Sequence, residues 1–335
     1  MSDSFTHRVL PYDGMDDYLA GALPFLRAGA ASGDRVLAVT PVAAGLLLRG
    51  ELGAAAAGIE FHESAAWYSH PARTLAGCLD MADAAEREGR RLRILGEPGW
   101  NGRPAPEVLE WQRTEALVNV AFAGTATAIL CPYARSLPAG VVASSRRTHP
   151  ESVRGVTAVR NPGYLDPWTF SARCDGEPLP APPPDAESMA LDRPDLYWLR
   201  AYAGDFARRA GLPAGDVQRL LVAATEVVTN AVRHGAPPMT LTMWTDPADG
   251  SVVCQVTDAG RWPAAAGHGL VPPRSPGPPG AARGNAAGPG RFGLWAVRLL
   301  CSAVQIRTGE QGTTVRLRLR PPAVPAGTAQ AVDTA

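Results

Sequence analysis

"TEVVTNAVRHG", Thr225–Gly235, decides how the C-terminal half of the chain is read. At about 100° per residue, a helix through it gathers Val217, Leu220, Leu221, Ala224, Val228 and Ala231 into one apolar stripe. Glu226 and Asn230 fall on the opposite side. Such a helix packs one face on a sheet and leaves the other to line a pocket. The plain alternative is a solvated polar pair at i, i+4. The preceding "LPAGD" offers Asp216 as a cap for the first free N–H groups, and Gly235 is a stop signal.

Working outward, "DLYWLRAYAGDFARRAGL" (195–212) has apolar residues at 196, 199, 202, 206 and 210, which predicts a second helix. "MTLTMWTD", "SVVCQVTDAG", "SAVQIRT" and "TTVRLRLR" alternate as strands do, and "GEQG" between the last two predicts a hairpin. Helices on one side of an antiparallel sheet make an α+β sandwich.

Three further stretches lie where this sandwich could bind a ligand. "TDAGR" ends a buried strand with Asp258, an acceptor for an exocyclic amine, followed by Gly260, which permits close approach. "GPGRFGLW" (288–295) leads with glycines into a helix, whose N–H groups can hold phosphate oxygens. "GTT" (312–314) opens the last strand with small hydroxyl residues.

In this order the stretches resemble the boxes of the GHKL (histidine-kinase-like) ATPases, most closely the anti-sigma-factor serine kinases, over roughly 195–320. The resemblance implies the Bergerat ATPase fold with bound ATP and Mg²⁺. Asn230 would be the Mg²⁺ ligand through its side-chain oxygen. Asp258 and Gly260 would seat the adenine, with Thr313 or Thr314 completing the pocket. Gly290, Arg291 and Gly293 would lie at the phosphates. Glu226 matches the general base that acts on a partner's hydroxyl. The implied partners are a sigma factor and a STAS-type anti-sigma-factor antagonist, and a homodimer is a further expectation. Two departures stand out: Arg261 and Trp262 follow Gly260 where a second glycine is common, and the stretch 264–290 is proline-rich and weakly charged.

Residues 7–150 alternate β-like runs ("HRVLPY", "RVLAVT", "IEFHES", "RLRILGEP", "TAILCPY") with helical stretches at 14–29, 71–89 and 104–122. This predicts an α/β domain with a mostly parallel sheet. "HRVLPY", "WYSHP", "ILGEPGW", "EWQRTEALVN", "LCPY" and "THP" resemble the MEDS sensory domain. The implied fold is RecA-like without a Walker A loop, and "GEPGWNGRP" indeed lacks the lysine and hydroxyl. Relatives often place an acid after the "CPY" tyrosine; here it is Ala134. Glu97, Trp111, Glu115, Asn119 and Tyr133 could line a cleft for a small-molecule ligand at the strand ends. The plainer reading makes Trp111 and Tyr133 core aromatics, the acids solvated and Cys131 a structural thiol.

Residues 151–190, including the proline-rich "DGEPLPAPPPDAE" (175–187), read as a linker between domains at 7–150 and 191–321, and 322–335 as a disordered tail. Among 335 residues the 32 basic ones are all arginine, against 32 acids. Without lysine, a Walker-A loop, the usual protein-kinase ATP site and a PLP Schiff base are excluded. Charge balance gives no reason to expect direct nucleic-acid contact. No signal peptide or membrane span is evident, and the five cysteines are scattered, which suits reduced thiols in the cytoplasm. Two other readings share the motifs: a catalytically silent ATP-dependent binding switch, and a sensor histidine kinase-like regulator with His149 of "HPESV" as acceptor.

Overall fold

The computed structural model describes residues 4–191, 195–261, 269–273 and 291–321. The first unit runs β1 (Thr6–Tyr12), α1 (Met15–Ala31), β2 (Arg35–Thr40), α2 (Val42–Leu52), β3 (Ile59–Glu63), α3 (Ser64–Trp67), α4 (Pro71–Arg87), β4 (Leu92–Gly96), α5 (Ala105–Ala121), β5 (Thr127–Ala134), α6 (Ala139–Thr148), β6 (Glu151–Arg154), β7 (Thr157–Arg160) and α7 (Pro167–Cys174). The second runs β8 (Glu187–Ala190), α8 (Leu196–Arg209), α9 (Ala214–His234), β9 (Met239–Thr245), β10 (Val252–Asp258), α10 (Arg291–Leu300), β11 (Ala303–Gly309) and β12 (Gly312–Leu319).

The first sheet has the order β3-β2-β4-β5-β1-β6-β7, parallel throughout except for the β6–β7 hairpin at its edge. Its central strands are near-continuous apolar runs because helices cover both faces. The second sheet, β11-β12-β10-β9-β8, is wholly antiparallel. Its inward residues Leu241, Met243, Cys254, Val256, Val315 and Leu317 pack on the stripe of α9, every member of which is buried. The two fold classes expected from the sequence are therefore the ones observed. The start of α9 differs: Pro213 takes the cap position, and Asp216 lies in the first turn, paired with Arg219 at 2.7 Å.

Residues 151–190 do not form one linker. β6 and β7 extend the first sheet, Asp166 caps α7 by accepting from Thr169 N at 2.9 Å, and β8 pairs with β9. The proline-rich stretch straps the outer face of the second sheet. Arg307 donates to the Glu177 carbonyl at 2.6 Å and Arg316 to that of Pro180 at 2.7 Å. Proline-rich backbone leaves its carbonyls unused by ladders, and strand arginines take them up. The expected tail, 322–335, lies outside the described residues.

The units are packed together. Trp295 of α10 sits in the core of the first unit with Trp111, Leu75 and Ala72. Three residues on, Arg298 donates to Glu110 of α5 at 2.8 Å, with both side chains under a tenth exposed. Glu110 also holds Arg113 at 3.3 Å, and Asp175 bridges Arg113 (2.6 Å) to Arg307 (2.7 Å). Burial pulls Arg298 below the ordinary guanidinium range, and Glu110 opposes that pull.

Candidate functional site

α9 brings Glu226 and Asn230 to one half-buried face, as their spacing implies. Asn230 Nδ2 donates to Glu226 Oε1 at 3.2 Å. A carboxylate only accepts, so this contact fixes the amide and leaves Asn230 Oδ1 as its second polar atom. Gly293, in the first turn of α10, lies directly over Glu226; a β-carbon there would overlap the carboxylate. A larger residue there would push the Glu226 carboxylate out of this position.

At the end of β10, Asp258 is 2% exposed. Its Oδ1 accepts from Gly260 N at 2.7 Å and Ala236 N at 3.3 Å. Burial pushes the Asp258 carboxyl above its ordinary value, while the two N–H groups pull the other way. The turn after α9 and the end of β10 touch backbone to backbone. A β-carbon on Gly260 would stand 2.6 Å from Gly235 Cα and 2.7 Å from Ala236 N, and one on Gly235 would overlap Asp258. Gly235 has φ −89°, so it is needed for this approach and not for a left-handed turn. Gly260→Ala is therefore expected to cost about 1–3 kcal/mol through overpacking. Gly215→Ala, on α9 with open space around it, should cost nothing. Urea denaturation of both variants checks the difference.

Thr313 pairs with Asp258 across the ladder and shares its face; its hydroxyl donates to Gly260 O at 2.9 Å. Thr314, one residue on, faces the other side of the sheet beside Thr257 at 3.4 Å, because strand side chains alternate. Arg233 and His234 are exposed. Arg291 opens α10, and Gly290 lies outside the described residues.

In the first unit, Trp111 and Tyr133 are core aromatics, as the plainer reading has it. Glu97 accepts from Tyr12 Oη at 2.6 Å, and burial raises its carboxyl. Glu115 is not solvated: it is 7% exposed, between His7 and His149. Burial alone would raise its carboxyl; the two imidazoles, where they turn a proton toward it, outweigh burial and bring it down to about 2. Burial and the neighbouring His149 bring His7 down to about 4. His149 is 0% exposed, which leaves it no access as a phosphoryl acceptor. His7 and His149 escaped the sequence-based list of cleft residues; the available signal was a histidine placed inside or beside an apolar run. A cleft of about 1020 Å³ opens between the units, lined by Arg73, Arg103, Glu107, Asp216, Arg219 and Arg320 among others, away from Glu226 and Asp258. Among the described residues no helix is long and apolar enough to cross a membrane.

Comparison with known proteins places these units. The crystal structure of the RsbU and RsbW domains of a Mycobacterium tuberculosis protein aligns at 23% identity and TM-score 0.29, over 41% of this chain and 33% of that one. The histidine kinase domain of a blue-light activated histidine kinase from Erythrobacter litoralis aligns at 19% and 0.24, over 36% of this chain and 60% of that one. The chain thus spans about a third of the first and three fifths of the second. No curated protein matches it. Residues 6–150 match the family described as MEDS, the methanogen/methylotroph DcmR sensory domain, and residues 190–319 match the histidine kinase-like ATPase domain. With a mostly parallel sheet in one and a helix-backed antiparallel sheet in the other, the chain joins a MEDS domain to a histidine kinase-like ATPase domain.

Proposed function

We propose that this protein is a cytoplasmic regulator of the anti-sigma type, in which the MEDS domain governs Mg²⁺·ATP-dependent phosphorylation of a serine or threonine on a STAS-type antagonist. Capture of a sigma factor is the coupled output. The observation that carries this reading is the Glu226–Asn230 contact on α9, one helical turn long, on the same side of the sheet as the buried carboxylate of Asp258.

The residues fit the groups that an ATPase domain implies. The Asp258 carboxylate accepts from Ala236 N and Gly260 N on one oxygen, Oδ1, so the other suits an amino donor such as that of adenine. Thr313 holds the Gly260 carbonyl and keeps the loop beside it in place. Asn230 presents an amide oxygen, the hard ligand that Mg²⁺ takes. Bound Mg²⁺·ATP supplies the phosphoryl group and the charge neutralisation of the transfer. Glu226 takes the proton from the partner's hydroxyl as its oxygen bonds to phosphorus and ADP leaves. Since no lysine exists, arginines and backbone N–H groups around the start of α10, with Arg291 and Gly293, complete the phosphate site.

The test is calorimetric. Asn230→Ala should weaken binding of Mg²⁺·ATP by at least about tenfold, a loss of about 1.4 kcal/mol, and should change metal-free ATP binding far less. Equal Mg²⁺·ATP affinity in wild type and variant would remove Asn230 from the metal. Wild-type binding without any phosphate transfer to an antagonist would favour the silent switch.

A further inference from the structure

Four side chains with no part in phosphoryl transfer converge inside the MEDS domain: His7 on β1, Cys131 on β5, Glu115 on α5 and His149 at the end of α6. All four are buried. We propose that His7 Nε2, Glu115 Oε2, Cys131 Sγ and His149 Nε2 form a tetrahedral site for a divalent transition-metal ion, zinc foremost.

Three of the six spacings among these atoms are already those of a coordination shell. Zinc bonds of about 2.0–2.3 Å place tetrahedral neighbours about 3.3–3.7 Å apart. Cys131 Sγ and His7 Nε2 are 3.5 Å apart, His7 Nε2 and Glu115 Oε2 3.5 Å, and His149 Nε2 and Glu115 Oε2 3.3 Å. The remaining pairs lie within 4.8 Å.

The second nitrogens of both rings are committed. Asn119 Nδ2 donates to the carbonyls of Ala116 (3.0 Å) and Thr148 (2.8 Å), so its Oδ1 must face His7 Nδ1, at 3.2 Å, as an acceptor. His149 Nδ1 stands 2.8 Å from the Ser145 carbonyl, which can only accept. In the neutral rings the proton therefore sits on Nδ1, and both Nε2 lone pairs point inward. Metal-bound histidines are held in this way by carbonyl acceptors.

Those lone pairs face the Glu115 carboxylate, acceptor against acceptor. Glu115 Oε2 and His149 Nε2 are buried without a hydrogen-bond partner. An unmet buried polar atom costs about 1–3 kcal/mol, and a charged one more. A cation at the centre satisfies Glu115 Oε2 and His149 Nε2 at once. With Cys131 giving up its thiol proton to solvent, one dication, one carboxylate and one thiolate sum to zero charge, as a buried site requires. Imidazole and thiolate donors select zinc or its neighbours over magnesium and calcium. The ligands stand on two strands and two helices packed in one core, so the geometry is preformed.

The experiment is elemental analysis of the full chain purified without chelators. It should carry about one zinc per chain, and Cys131→Ser and His149→Ala should fall to about a tenth of that or less. Cys78→Ser, at a buried cysteine outside the cluster, should keep its metal. Asn119→Ala should bind zinc about 10–100-fold more weakly, as loss of a ring-orienting partner does. Should the ligand variants fail to fold, cobalt replaces them as a probe: the wild-type chain loaded with Co²⁺ should show the absorption of a tetrahedral site with a thiolate charge-transfer band. Wild-type protein free of metal and spectrally silent with cobalt would overturn the proposal, as would full metal content in Cys131→Ser.

Discussion

Glu226→Gln is expected to lower phosphate transfer to a cognate antagonist by about 10²–10⁴-fold, the usual worth of a positioned general base. Binding of Mg²⁺·ATP should stay within about threefold of wild type, because binding without transition-state contact is a separate quantity. Glutamine is the informative replacement. Its side-chain oxygen can still accept from Asn230 Nδ2, as Glu226 does at 3.2 Å, and it fits under Gly293 in the same volume. The change thus removes proton acceptance and leaves the helix packing alone. Single-turnover transfer of radiolabelled phosphate, beside calorimetric ATP affinity, reads the two quantities separately. Undiminished transfer would strike Glu226 from the role of base while leaving the ATP site standing.

The second large effect lies at the contact between the domains. Glu110→Gln should destabilise the full chain by about 3–5 kcal/mol, as breaking a buried ion pair does. Glu110 Oε2 holds Arg298 at 2.8 Å and Oε1 holds Arg113 at 3.3 Å, and the three side chains are 9%, 5% and 2% exposed. Arg113 keeps Asp175, but Arg298 loses the carboxylate that offsets its buried charge. Arg8→Ala provides the contrast. Its pair with Glu151 spans 2.6 Å, but the two side chains are 31% and 39% exposed, so its loss should cost about 1 kcal/mol or less. Urea denaturation of both variants tests the difference; equal costs would mean that the buried pair is not coupled to folding.

How far the sequence foretold this follows from what each segment buries. The strands of both sheets and helices α8 and α9 were legible because each has one apolar face or a continuous apolar run. β6, β7 and β8 were not. "ESVR", "TAVR" and "ESMA" are four residues long, without a fully buried residue, and held by edge pairing that leaves little hydrophobic trace. α7 did carry a readable signal in "DPWT", with Asp166 at the cap and Pro167 next, but the prolines after it drew the whole stretch toward a linker. Helix α5 misled for another reason. Glu107, Glu110, Arg113 and Glu115 are all buried, since α5 lies between its own sheet, α7 and the second domain. Charges that look solvated in a string of letters are here buried, Glu107 and Glu110 against the second domain and Glu115 inside the first beside His7 and His149. In the candidate site, the Glu226–Asn230 pair was visible as spacing, whereas the packing of Gly235 on Gly260 joins residues 25 positions apart and leaves no local pattern.

Helix α10 is ten residues long, about 15 Å of stiff rod. One end rests on the carboxylate of Glu226; the other is wedged by Trp295 and Arg298 among the residues of the sensory half. A body that short and that firmly gripped does not bend, so displacement at either grip is displacement at both. Thermodynamics then makes the traffic two-way. Whatever factor an occupant of one half imposes on affinity in the other is returned to it in full, so a nucleotide held in the second domain would modulate a ligand of the first as much as that ligand modulates the nucleotide.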